Sequence, residues 1–295
     1  MSSPAATIAS LLGDAELRSP PALTRLDAEL LLAHLLGRPR TWLRAHDETP
    51  LESGLVAAWK ALARRRRDGE PLAYLVGEKE FHGLRLAVDG RVLVPRPETE
   101  LLVECGLAAL ATRSRAVPSD PEHPGRDAPR EPRVVDLGTG SGAIALALKS
   151  ARPSARVHAS DASADALEVA RANALRLGLE VDWRLGSWWA PWTSMRFDLA
   201  LSNPPYVRAD DPHLDALVHE PVAALVSGTD GLAALSDLIE GAPAHLSRGG
   251  TLWVEHGHDQ AEAVRTRFVQ AGFTDIATRR DLAGIERCTG GRTER

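Results

Sequence analysis

Residues 133–149 read Arg-Val-Val-Asp-Leu-Gly-Thr-Gly-Ser-Gly-Ala-Ile-Ala-Leu-Ala-Leu-Lys: an apolar run, three alternating glycines, and then a helical stretch with no spacer. A short continuous apolar run is the pattern of a strand buried on both faces. The glycines let the backbone turn sharply and pass close beneath a ligand at the N-terminus of the following helix. A strand, a tight turn and a helix in that order open a parallel sheet. The remainder of the chain must therefore supply further crossover units, and it does. Strands are expected at Arg156–Ala159, Val181–Leu185, Phe197–Leu201 and Thr251–Glu255, and helices at Ile144–Lys149, Ala164–Leu177, Gly231–Leu246 and Gln260–Ala271. Thr274–Arg279 and Glu286–Thr289 fit a closing antiparallel pair. This alternation predicts an α/β fold with a doubly wound, mostly parallel sheet, whose ligand crevice lies at the strand C-termini.

Upstream the pattern differs. Residues 1–70 read as a small helical bundle: Thr24 with Asp27 caps Leu26–Leu36, Gly37 ends it, and Leu51–Arg67 closes on four arginines. Cations complement a helix C-terminus, so that run reads as a solvated face. Residues 71–95 alternate with glycine punctuation, as a hairpin or short strands would, and form a connector. Residues 96–295 make the second domain, in which Pro97 and Glu98 open a helix over Leu101–Ala111. Residues 112–133 hold five prolines and little apolar content, which reads as a flexible insertion. With 35 basic and 40 acidic residues the net charge is −5, which argues against a nucleic-acid binder held by bulk charge. Cys105 and Cys288 have no metal or disulfide spacing, and the N-terminus lacks the features of a signal peptide. No apolar run approaches the ~20 residues of a membrane span. These features predict a cytoplasmic protein.

Two motifs carry chemistry. The first is Gly138–Ala143, which also satisfies the dinucleotide fingerprint GxGxx[GA]. Alone it does not separate NAD from S-adenosylmethionine. Asp161 ends the second strand, placed for a ribose hydroxyl pair under either reading. The second is Ser202-Asn203-Pro204-Pro205-Tyr206, directly after the apolar run Phe197–Leu201. Two prolines fix φ and extend their predecessors, giving a stiff corner. The Asn203 side-chain carbonyl and the Pro204 main-chain carbonyl are acceptors there, and Tyr206 adds a flat ring. Such a corner suits a planar –NH2 group held by both hydrogens. A hydride-transfer enzyme has no use for it, whereas a methyltransferase acting on an amide or amino nitrogen does. His256 and His258 with Glu255 beside them invite a metal reading, but neighbouring residues at a strand end point to opposite faces and no third ligand is placed nearby, so no metal site is expected.

Asp136–Ala143 together with Asn203–Tyr206 resembles the class I S-adenosylmethionine methyltransferases that modify planar nitrogens. With Phe81-His82-Gly83, Val92–Glu100, Glu220-Pro221, Ala224-Leu225, Glu255-His256-Gly257 and Asp281–Gly284, nearly the whole chain resembles the peptide chain release factor glutamine methyltransferases. The insertion at 112–133 departs from that pattern. The resemblance implies a Rossmann-like methyltransferase domain behind a substrate-recognising bundle. It implies S-adenosyl-L-methionine as cofactor and N5-methylation of the glutamine in the Gly-Gly-Gln loop of class 1 release factors. By position, Gly138, Thr139, Gly140, Ser141 and Gly142 would line the methionine portion, Asp161 the ribose and Trp188 the adenine. Asn203 would touch cofactor and substrate, and Asn203, Pro204, Pro205 and Tyr206 would hold the amide. Trp189 and Trp192 lie close enough in sequence to compete with Trp188 for that role. The nearest alternative is a nucleic-acid amino methyltransferase. It shares the corner but needs a basic groove and base flipping.

Overall fold

A computed structural model describes residues 6–14, 23–116 and 131–294. The chain divides into two compact units, Met1–Glu78 with Asp215–His219, and Lys79–Leu214 with Glu220–Arg295.

The first unit contains α1 (Ile8–Leu12), α2 (Arg25–Leu36), α3 (Arg40–Ala45), α4 (Ser53–Arg67) and α5 (Leu72–Val76). As the sequence predicts, the Thr24 hydroxyl accepts from the Asp27 N–H at 3.0 Å to start α2, and Gly37 ends it at φ 61°. Ile8, Leu11, Leu31, Leu32, Leu43 and Trp59 form the core, and the Trp59 indole donates to Ala28 O at 3.1 Å. The buried carboxylate of Glu29 receives Arg25 Nε at 2.9 Å and Arg40 Nη2 at 2.8 Å, which hold its pKa below the ordinary range. In the arginine run closing α4, Arg65 pairs with Glu70 and Arg66 with Asp27. Residues 72–76 are helical where the sequence suggests a strand. Pro71 pre-sets the entry and Gly77 closes the turn at φ 76°. A five-residue apolar run is too short for its period to distinguish helix from strand.

The second unit opens on a hairpin, β1 (Glu78–Phe81) and β2 (Leu84–Ala87), and α6 (Glu100–Ala116). The latter runs five residues into the stretch expected as an insertion, and residues 117–130 lie outside the described residues. The α/β body follows: β3 (Arg133–Leu137), α7 (Ala143–Ala151), β4 (Arg156–Asp161), α8 (Ala164–Leu177), β5 (Asp182–Leu185), β6 (Phe197–Ser202), α9 (Ala233–His245), β7 (Leu246–Glu255), α10 (Ala261–Gln270), β8 (Phe273–Arg280) and β9 (Glu286–Thr293). Among the described residues seven strands form one sheet, in the order β5-β4-β3-β6-β7-β9-β8. The first five are parallel, and β9 runs antiparallel to both β7 and β8.

Successive strand residues alternate between two cores. Val134, Leu199 and Leu201 pack with Leu102, Ile144 and Leu146, while Val135, Leu137 and Ala200 pack with Leu235, Ile239 and Phe268. Both faces of β3 and β6 are therefore dry, which explains their mostly apolar sequences, with Asp136 and Asp198 buried among them. The strand order reverses at β3, whose neighbours are β4 on one side and β6 on the other. That switch point sets the glycine loop after β3 beside the corner after β6. Among the described residues no helix is long and apolar enough to cross a membrane.

Candidate active site

The loop after β3 is built by three left-handed glycines, Gly138 at φ 75°, Gly140 at 56° and Gly142 at 84°. Other residues avoid that region at a cost of roughly 1–2 kcal/mol each. The Gly138 and Thr139 N–H groups donate to Ser160 O at 2.9 and 3.0 Å, tying the loop to the end of β4. Asp136 is fully buried beneath it. Its Oδ2 accepts from Thr139 Oγ1 at 2.5 Å and from the Ala145 N–H at 3.2 Å, so it holds the loop and the first turn of α7 together. Burial pushes its pKa up to about 7, and its Oδ1 has no hydrogen-bond partner among the described residues.

Asp161 ends β4 as expected. Oδ2 accepts the Gly140 N–H at 2.8 Å and Oδ1 the Ser163 N–H at 2.9 Å. Burial raises its pKa, and these N–H donors partly offset the rise. Each oxygen retains a second lone pair for a ligand hydroxyl.

The three clustered tryptophans separate clearly. Trp189 and Trp192 are core residues whose indoles donate to Leu238 O at 3.0 Å and Ser160 Oγ at 3.2 Å. Trp188 is half-buried with φ 46°, and a Cβ placed on Gly138 would lie 3.0 Å from its Cζ3. Its ring edge rests against the glycine loop, and glycine at 138 is what lets it approach. At Gly140 a Cβ would meet nothing within 4 Å, so the loop opens to free space there.

The corner stands next to this loop, joined to it where Ser202 Oγ donates to Leu137 O at 2.6 Å. Asn203 Nδ2 donates to Thr99 Oγ1 at 3.0 Å, and its Oδ1 has no partner among the described residues. Pro204 is buried, and Pro205 and Tyr206 are half-buried. The Tyr206 hydroxyl donates to Glu255 Oε1 at 3.2 Å, and burial beside that carboxyl raises its pKa. Its main-chain carbonyl accepts Gln260 Nε2 at 3.0 Å. Beyond it, Val207 N donates to Leu225 O at 2.9 Å and Ser227 N to Val207 O at 3.0 Å.

Several residues that hold this arrangement carry no isolated signal in the sequence. Thr99, Glu220 and Glu255 fall within stretches that support the family resemblance, yet nothing local reveals their partners. Glu220 accepts the Val94 N–H at 3.1 Å and Arg96 Nη2 at 2.5 Å, pinning the segment that carries Thr99. Gln260 accepts the Gly257 N–H at 2.8 Å with one end of its amide and clamps Tyr206 with the other. The histidine next to Glu255 is structural: His256 is buried, with Nδ1 2.9 Å from Gly257 O and Nε2 2.9 Å from Thr289 Oγ1. Among the described residues no cluster of His, Cys, Asp and Glu could hold a metal ion.

A doubly wound sheet with a glycine loop and an Asn-Pro-Pro-Tyr corner at its switch point defines a class, the Rossmann-like methyltransferases. The comparisons agree with that class. Residues 126–230 match the methyltransferase small domain family and residues 8–77 the PrmC N-terminal domain family. The fold is similar to that of a methyltransferase from Pyrococcus furiosus, at a TM-score of 0.51 and 18% identity over 72% of this chain and 89% of that one. The release factor glutamine methyltransferase of Bordetella pertussis is 48% identical over 94% of this chain and 97% of its own. That of Escherichia coli is 43% identical over 91% and 92%. The chain belongs to the release factor glutamine methyltransferase family.

Proposed function

We propose that this enzyme methylates the side-chain amide nitrogen, N5, of the glutamine in the Gly-Gly-Gln loop of class 1 release factors. S-adenosylmethionine, when bound, supplies an electrophilic methyl group on a sulfonium. The site fits that group. There is open space over Gly140, a carboxylate with spare lone pairs at Asp161, an indole edge at Trp188 and, at Asp136, a buried oxygen with no partner among the described residues. In this reading Gly138–Gly142 hold the methionine portion, Asp161 the ribose and Trp188 the adenine.

The observation that carries the assignment is the orientation of Asn203. Its NH2 is engaged by Thr99 at 3.0 Å, which leaves the carbonyl as the group available to an incoming amide. An amide nitrogen is a weak nucleophile because its lone pair is delocalised into the carbonyl. Asn203 Oδ1 and the Pro204 carbonyl accept its two N–H hydrogens and turn the lone pair toward the methyl group. They also stabilise positive charge as it grows on nitrogen. Pro205 stiffens the corner, and the Tyr206 ring covers the amide plane. Forming the N–CH3 bond would break the donor's S–CH3 bond and leave a neutral thioether, and the displaced amide proton would pass to water.

The test is a release factor whose loop glutamine is changed to Glu, which keeps the shape and removes the –NH2. Methyl incorporation should vanish with that change and persist under nuclease treatment with the unaltered factor. Labelling of the altered factor, or of RNA or DNA, would instead favour an amino methyltransferase of nucleic acids. A net charge of −5 argues against that alternative, since phosphate contacts need positive charge. No stable nucleic-acid partner and no membrane partner is proposed, and translation-linked chemistry implies a cytoplasmic enzyme.

Replacement of Asp161 by Ala should weaken S-adenosylmethionine binding by roughly 1–3 kcal/mol, through lost charge-assisted hydrogen bonds. The loop should loosen with it, because the Gly140 N–H loses its acceptor. Calorimetry checks this, and unchanged affinity would remove Asp161 from the cofactor site.

The helical unit is proposed to recognise the protein substrate, supported by its separate core and its match to a domain family of its own. A chain beginning at Lys79 should bind S-adenosylmethionine normally yet methylate the factor poorly. An unchanged kcat/KM on the intact factor would refute the role.

A further inference from the structure

Two aliphatic side chains stand in solvent at the edge of the second unit that carries the corner. Leu282 is 109% exposed and Val222 is 65% exposed. Each sits on a turn whose backbone is fixed by its own hydrogen bonds. Leu282 occupies the turn between β8 and β9. Asp281 Oδ1 accepts the Ala283 and Ile285 N–H groups, both at 2.9 Å, and Asp281 Oδ2 accepts Arg287 Nε at 2.9 Å. The Asp281 N–H donates to Ile285 O and the Gly284 N–H to Asp281 O, again at 2.9 Å, and Gly284 takes a left-handed φ of 80°. Val222 opens a second turn, in which the Leu225 and Val226 N–H groups donate to Val222 O at 3.0 Å.

Both turns border the corner. Leu225 O receives the N–H of Val207, next to Tyr206, at 2.9 Å, and Glu220, two residues before Val222, holds the Val94 N–H. Arg287 O receives the N–H of His256, next to Glu255, at 2.9 Å, so the β8–β9 turn lies at the same strand end as Asn203. In the order β6-β7-β9-β8 that turn is two to three strands from the corner, roughly 10–15 Å at the usual spacing. A stable protein contact buries about 800 Å² on each partner, a disc of roughly 16 Å radius. A contact centred on Asn203 therefore reaches both turns.

We propose that Leu282 and Val222 form an apolar rim that docks the release factor, each packing against an apolar patch of the factor beside its Gly-Gly-Gln loop. The rim rests on the reading that the loop glutamine reaches the corner. A single amide offers too little surface to select a protein, and the rim supplies that surface on the catalytic unit itself. Because the two turns are preformed, docking there orders little chain, which spares the entropy a loose loop would lose.

The experiment compares Leu282→Asp, Val222→Asp and Leu282→Met with the parent, all as full-length enzyme. For each, the Kd and KM for an intact release factor, kcat at saturating factor, S-adenosylmethionine affinity, unfolding temperature and mass in solution are measured. Each Asp variant should weaken factor binding by about 10-fold or more, the effect of leaving one aliphatic side chain unburied. At saturation kcat should stay within about 2-fold, as should cofactor affinity, because neither residue touches the reacting groups. Leu282→Met keeps an apolar side chain of similar volume and should bind within about 3-fold of the parent. Both side chains already face solvent, so the unfolding temperature should not move. Unchanged factor binding in either Asp variant overturns the rim, as does a loss confined to kcat or cofactor affinity. A dimeric parent with a monomeric Asp variant would overturn it too, assigning the rim to a second copy of the chain. Failure of the parent to methylate any release factor overturns the underlying reading instead, and shows before any variant is compared.

Discussion

Replacing Asn203 by Ala should lower kcat for release-factor methylation by about 10²–10³, the loss expected when one preorganised polar group is taken from a developing charge. The affinity for S-adenosylmethionine should change far less. Two features lead to that split. The glycine loop and Asp161, proposed with Trp188 to hold the cofactor, are fixed by contacts of their own, from Gly138 and Thr139 to Ser160 and from Gly140 to Asp161. Asn203 instead is oriented from the other side, by Thr99 at 3.0 Å. Stopped-flow or quenched turnover beside calorimetry separates the two effects. A variant that turns over at the parental rate would mean the corner is only a strand terminator.

An equally severe outcome is expected from a residue that touches no ligand. Gly231 has φ 74°, and a Cβ there would lie 2.3 Å from Tyr206 O and 2.7 Å from Gln260 Nε2. Gly231→Ala adds one methyl group, yet it meets a main-chain carbonyl that cannot rotate away. The left-handed backbone costs roughly 1–2 kcal/mol for a residue with a Cβ, and overpacking roughly 1–3 kcal/mol more. A loss of about 2–5 kcal/mol in urea unfolding should result. Methylation should fall with it, because the clamp of Gln260 on Tyr206 must open to admit the methyl. A stability within about 0.5 kcal/mol of the parent would show that the corner yields without cost.

The reasons why some of this is legible in the sequence and some is not are physical. The glycine loop can be read because its chemistry is local: three left-handed positions and a helix start lie within six residues. The Asn-Pro-Pro-Tyr corner can be read for the same reason, since proline acts on itself and its predecessor. Asp161 follows from strand period and the length of one crossover. Thr99, Glu255, Gln260 and Gly231 exert their effects across the fold, between residues 29–104 positions apart. No period or spacing encodes such pairs. Among the tryptophans, sequence proximity leaves three candidates, and packing alone separates the half-buried Trp188 from its two buried neighbours. The strand order is also silent in the sequence, because alternation predicts a parallel sheet but not which strands adjoin.

That strand order has a consequence for how the enzyme comes into being. β3 and β6 are adjacent in space, yet about 60 residues of chain separate them, and parallel partners of this kind pair late and slowly. The glycine loop and the Asn-Pro-Pro-Tyr corner first meet at that pairing, so a chain lacking it has not brought the two together. S-adenosylmethionine bound by the folded chain stabilises it against unfolding. By mass action, S-adenosylmethionine at 100 times its Kd should then add about 2.7 kcal/mol to the folded state. In the cell, the supply of methyl donor would govern the lifetime of the enzyme as well as its turnover.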